Sequence, residues 1–195
     1  MEIAVGIETG NQLKGMAIGV MVFGFFGALW IVSGLVERGT MTVGRVLGAA
    51  AGCAVLMAGG ILLLRAAGHW PMQPNNPAIG RVFGLVNALQ WGAGFTAFFL
   101  LRHWHLDDYF LSVLTAIVGL HFVPLARLFR APSHYAVAAV MVAWAATGVL
   151  YLPVEHLPSL TAFGDGLILW QAGAQALAVG LAAARHVPAQ TAVSV

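Results

Sequence analysis

The chain reads as an all-α, polytopic membrane protein, a bundle of six transmembrane helices. Three observations carry that reading: six apolar stretches fill the sequence nearly end to end, charged residues gather in the gaps between them, and glycine is abundant, at 24 of 195 residues. Only 8% of the residues are charged and 60% are hydrophobic, where a soluble domain carries roughly a quarter charged residues. So few charges cannot cover an aqueous surface, and the mean hydropathy of +0.87 agrees. A hydrocarbon core about 30 Å thick takes roughly 20 helical residues to cross, so six crossings use the whole chain as one membrane domain, 1–195.

The first span, 15–36, follows Lys14 and closes at Glu37-Arg38-Gly39-Thr40. No small-residue cleavage signal follows it, so it is expected to persist as an anchor and not to be removed as a signal peptide. The second, 45–67, leads into the longest internal loop, with Pro71, Pro74, Asn75, Asn76 and Pro77. The third, 81–101, ends at the polar stretch from Arg102 to Asp108, after which the fourth runs over 109–129. Arg130-Ala131-Pro132-Ser133 makes a tight link to the fifth, 135–152, and Pro153 to Pro158 reads as a break before the sixth, 164–185.

Lys14, Arg65, Arg81, Arg127, Arg130 and Arg185 fall on the face that holds both termini, against Arg38, Arg45 and Arg102 on the other. Basic residues mark cytoplasmic loops, so both termini are expected in the cytoplasm of an inner-membrane, multi-pass protein. The nine Lys and Arg residues form no cluster, which argues against nucleic-acid binding. Cys53 is the single cysteine, which excludes an internal disulfide and multi-cysteine metal or iron–sulfur sites. No cofactor is expected: the one deep histidine, His121, offers no matched second haem ligand.

Glycines recur in small-xxx-small spacing at Gly15 and Gly19, Gly48 and Gly52, Gly80 and Gly84, and around Gly173. Such spacing lets helix backbones approach in lipid, and it predicts a tight bundle and a homo-oligomer. Gln90-Trp91-Gly92-Ala93 in the third span echoes Gln171-Ala172-Gly173-Ala174 in the sixth. The two spans run in opposite senses, as an inverted repeat would require, although Gly- and Ala-rich helices also match at four residues by composition alone.

Polar side chains inside the spans are the leading functional candidates, because they are costly in lipid and face a partner or water. Counting rise per residue puts Gln90, Gln171 and Gln175 near mid-bilayer, with Asn87 and His121 displaced by about 4–6 Å toward the cytoplasm. One reading is a polar lining for a small uncharged solute, since amides both donate and accept. The other is interhelical bonding between the third and sixth spans. His121 precedes Pro124, which frees a carbonyl in the preceding turn, so it suits either a gating contact or a local bond. On the outer face His103, His105, Asp107, Asp108 and His156 form a group able to change charge between about pH 5 and 8. Acid sensing, a divalent metal or plain solvation are its alternatives, and no metal site is assigned. Asp165 is placed at the rim of the sixth span. No span pairs carboxylates or couples a nucleophile to a base, so an enzyme is not expected.

Three segments carry a resemblance. Leu106-Asp107 with Ser112, Ala116-Ile117-Val118 and Val123-Pro124-Leu125-Ala126 is similar to the fourth-helix region of the urea-channel and short-chain amide transporter family. Phe26 to Leu35 is similar to its first helix, and Gly148-Val149-Leu150-Tyr151-Leu152 to its fifth. The resemblance implies a passive channel for urea or a small amide, built as a ring of protomers each with its own pore, with Gln171 at a polar pore position. Asn87-Ala88-Leu89-Gln90-Trp91 departs from the family's aromatic-rich third helix, and Trp144 stands alone where the fifth would hold several tryptophans. The expectation is therefore a passive transporter or channel for a small polar or uncharged solute. The alternative is a non-transporting scaffold or assembly partner with a dry interior.

Overall fold

The computed structural model describes residues 10–70 and 77–185. The first nine residues and the segment holding Pro71, Pro74, Asn75 and Asn76 lie outside the described residues. Six helices follow in order: α1 Gly10–Glu37, α2 Val43–Ala67, α3 Pro77–His103, α4 Phe110–Leu128, α5 Ser133–Tyr151 and α6 Leu157–Ala184. A 3-10 turn, Asp107–Tyr109, leads into α4, and no strand occurs among the described residues. All six helices are long and apolar enough to cross a membrane, as a multi-pass membrane protein requires.

Helix ends follow from local chemistry. Gly39 (φ 63°) closes α1, and the N–H groups of Gly39 and Thr40 bond back to Val36 O (2.9 Å) and Leu35 O (3.0 Å). That left-handed closure satisfies carbonyls which the helix leaves unpaired. Links after α3 and α4 repeat the motif without glycine: His105 (φ 56°) and Arg130 (φ 51°) occupy the left-handed position. At the start of α2, Thr42 accepts from the Arg45 N–H at 3.4 Å. Pro77 opens α3, and Pro158 sits in the first turn of α6. Proline is tolerated there because those N–H groups have no intrahelical acceptor.

Pro158 is where the sequence reading goes wrong. It was expected to break the chain ahead of a span beginning at 164, but α6 starts at Leu157. Asp165 therefore lies eight residues inside the helix, about 12 Å along its axis at 1.5 Å per residue, and not at the rim.

α6 is the hub of the bundle. It packs most extensively on α1 and also meets α2, α4 and α5. α1 and α6 run antiparallel, and a Cβ at Gly166 would stand 2.8 Å from Gly27 O. A Cβ at Gly34 would likewise stand 3.0 Å from Ser159 O, so two bare backbones set the crossing. The expected glycine pairs are mostly elsewhere: Gly15, Gly19, Gly48, Gly80 and Gly84 face open space. Of that set, only Gly52 and Gly173 are pressed, against Trp170 and against Phe23 with Leu56. One buried cluster joins Leu13, Val20, Leu56 and Leu63 of α1 and α2. The other gathers Phe23, Trp30, Phe122, Met141 and Leu169 from α1, α4, α5 and α6.

α3 stands apart. Its extensive helix contact is with α4, and Gly94 is its one buried residue. α3 and α6 thus occupy non-equivalent places, so the echo between them does not mark an inverted repeat.

Candidate functional site

The most buried polar side chains in the helices converge where α4 and α6 run parallel. Ser112 and Thr115, three residues apart on α4, face Thr161 and Asp165, four apart on α6, and all four are buried. These spacings put each pair on one helix face. Ser112 Oγ lies 3.1 Å from Thr161 Oγ1, and Thr115 Oγ1 is hydrogen-bonded to Asp165 Oδ2. From α5, Trp144 Nε1 donates to Thr161 O at 3.2 Å. Its indole fills the space that a side chain at Gly164 would need.

Donor arithmetic describes the carboxyl. Thr115 Oγ1 also lies 2.8 Å from Leu111 O, a carbonyl that can only accept. One hydroxyl hydrogen serves one acceptor. With that hydrogen on Asp165 Oδ2 the carboxyl accepts from Thr115, and with it on Leu111 O the same contact requires a proton on Asp165. Among the described residues, Asp165 Oδ1 is buried with no hydrogen-bond partner, and no cation is paired with the carboxyl. A buried carboxylate without a counter-charge is expensive.

The five residues expected to share a solute path do not come together. Asn87 Nδ2 donates to Phe83 O of its own helix at 2.8 Å, and Gln90 is half-buried on the same peripheral helix. Gln171 and Gln175 are exposed on α6, with no extensive contact between α6 and α3. Neither a common lining nor α3–α6 bonding follows from that placement, because equal depth does not give an equal face. Gln171, a pore position by the family resemblance, points out of the bundle.

His121 is half-buried, with its ring facing the backbone of Val86 on α3 and its Nδ1 left without a partner. Close by is His134, which the sequence reading missed. Its ring stands 6.0 Å from Phe23 and 5.7 Å from Phe122, and its Nδ1 is also buried and unpartnered.

At the opposite end of the bundle, His103, His105, Asp107, Asp108 and His156 are all exposed. His105 holds the left-handed turn after α3, while the His156 carbonyl accepts from Ser159 Oγ at 3.0 Å. Among the described residues, no three His, Cys, Asp or Glu side chains converge as a metal site would need.

The signal for the missed site was present as Ser112-x-x-Thr115 in the fourth span and Thr161-x-x-x-Asp165, a polar pair at helical spacing that begins ahead of the expected start of the sixth span at 164. No protein-family model, curated protein or solved structure matches the chain.

Proposed function

We propose that the protein is a membrane carrier for a small polar or uncharged solute, urea- or amide-like compounds first, in which Asp165 binds and releases a proton. The supporting observation is Asp165 itself, a buried carboxyl within a span, hydrogen-bonded to Thr115 across the α4–α6 seam and otherwise unpaired among the described residues. Ionisable groups in such positions are rare outside ion and proton pathways. The seam joins α4 and α5 to the α1, α2 and α6 group. Loss of the proton would create a charge that the closed seam does not balance, which favours opening of the seam to water. The resemblance to the urea-channel family implies a passive route, and a proton-binding carboxyl enclosed well inside α6 is the reason for proposing a proton-linked one instead. The basic residues at the end that carries the termini support a cytoplasmic orientation for that end.

A second reading, a non-transporting assembly component, has its own support. Two surface hollows, of about 510 Å³ beside Val82, Val123, Pro124, Arg127 and Leu128 and about 290 Å³ beside Met41 to Leu47, are lined by neither Asp165 nor the amides.

Proteoliposome flux over a panel of small neutral solutes, with and without a pH gradient, separates the two. The carrier reading expects a flux that responds to the gradient, and loss of that response in a folded Asp165→Asn variant. Absence of flux for every solute favours the assembly reading. A gradient response that survives Asp165→Asn removes the proton role.

A further inference from the structure

Five polar or charged side chains are buried among the described residues, and all five stand near one end of the bundle: Ser112 and Thr115 on α4, with Ser159, Thr161 and Asp165 on α6. α4 and α6 both begin at that end, which carries the α3–α4 and α5–α6 links and lies opposite the termini. Measured from Leu157 at 1.5 Å per residue, Thr161 lies about 6 Å into α6 and Asp165 about 12 Å. The contact between the Ser112 and Thr161 hydroxyls, 3.1 Å long, therefore sits between the carboxyl and the helix ends. Beyond Asp165, α6 runs on for about 28 Å to Ala184, and the buried residues of that stretch are Gly, Leu and Ala. The buried face of α4 beyond Thr115 is equally apolar. There a Cβ at Gly119 would stand 3.1 Å from Met141 Cβ of α5, and the Phe122 ring lies 5.7 Å from that of Phe23 on α1.

We propose that Asp165 exchanges its proton with water on the side of the membrane opposite the termini, by way of the Ser112–Thr161 hydroxyl pair, and is shut off from the other side by the apolar layer of Phe23, Phe122, Met141 and Leu169. The proposal rests on Asp165 being a proton-binding group and adds the side from which the proton comes. A hydronium ion gives its proton to the carboxylate, leaving water and the neutral acid; release is the reverse transfer, to a water molecule. A hydroxyl both donates and accepts, so Ser112 and Thr161 bond water as it comes between the helix ends, whereas an apolar layer excludes it. Among the described residues, the groups packed beside Asp165 are the Thr115 hydroxyl from α4, Trp144 from α5 against Gly164 and Ile31 from α1 against Gly166. α2 meets α6 farther on, at Trp170 and Leu177. None of these is ionisable. Asp107 and Asp108, in the 3-10 turn that packs on α6, and Glu155 and His156 ahead of α6 are exposed at the mouth. His121 and His134 lie past Gly119 and Met141, toward the end that carries the termini, and would serve a route from that side.

Infrared difference spectra of the full chain in proteoliposomes, oriented by a tag on one terminus, test the route. They read the acid C=O band of Asp165, identified as the band that Asp165→Asn removes. When the pH of one compartment is stepped at a time, the band should follow the compartment opposite the termini and ignore the other. A band that follows the terminal side, or both sides equally, overturns the route while leaving Asp165 a proton-binding group. A band that follows neither side overturns the route and the proton reading together. Thr161→Val keeps the side-chain volume and removes the hydroxyl, so it should slow the response by about ten-fold, the scale of one lost hydrogen bond, and Thr161→Ser should restore it. Ser33→Ala, whose native hydroxyl returns to Leu29 O of its own helix at 3.0 Å, should keep the wild-type rate. A folded Thr161→Val variant that responds as fast as wild type overturns the role of the hydroxyl pair.

Discussion

Gln90-Trp91-Gly92-Ala93 of α3 and Gln171-Ala172-Gly173-Ala174 of α6 are nearly the same four residues in opposite surroundings. A Cβ at Gly92 would meet no neighbouring atom within 4 Å, while one at Gly173 would stand 3.1 Å from Phe23 Cβ. Trp91 is 56% exposed, whereas Ala172, at the matching place, is buried. Local composition therefore decides only that both segments are helical. Which glycine is needed depends on the neighbours: α6 is crossed by four helices, and α3 leans on α4. The same contrast separates the polar groups. The hydroxyls and the carboxyl are enclosed between α4 and α6, while Gln171 and Gln175 are exposed and Asn87 and Gln90 half-buried.

Substitutions can break this contrast, beginning with the largest effect. Gly166→Leu forces a side chain against Ile31 and the Gly27 carbonyl, and overpacking a rigid backbone contact should cost about 3 kcal/mol. Gly92→Leu, facing open space, should stay within about 0.5 kcal/mol of wild type. Unfolding of both variants in detergent measures the difference, and equal losses would contradict the hub position of α6.

Thr115→Val is next. It keeps the volume of the side chain but removes the one hydrogen-bond partner of Asp165, so it should cost about 1–3 kcal/mol. A paired Thr115→Val, Asp165→Val variant sharpens the test: with both polar groups gone, much of that loss should return. If the single and double variants unfold alike, the two side chains are not coupled.

Asn87→Leu should have the smallest effect, within about 0.5 kcal/mol, because its amide only returns to Phe83 O on an exposed turn. A large loss would mean that another molecule covers this part of α3.

Much of the architecture was legible. Each expected span contains a helix, because a membrane requires every backbone N–H and C=O to be paired within the segment. The boundary that misled was Pro158, since proline stops a helix in its interior yet starts one in its first turn. That single shift moved Asp165 from a rim to a buried seam. The candidate site was less legible. Depth can be counted from rise per residue, but the rotation of each helix against its neighbours is not a property of one span. Neither Thr115 nor Thr161 is distinguished by its own span, because each finds its polar partner on the other helix.

Hydropathy and turn chemistry by themselves determined six apolar helices, where most of them stop, and the expense of every polar group within them, because those follow from chain-local hydrogen bonding and solvation. Which polar groups face one another, that α6 is central and α3 marginal, and that Asp165 is enclosed were decided only by tertiary structure. All three depend on which helix faces meet, and in apolar surroundings that choice rests on shape: bare glycine backbones at Gly27 and Gly166 that let two helices touch, and indoles at Trp144 and Trp170 that fill the space glycines leave.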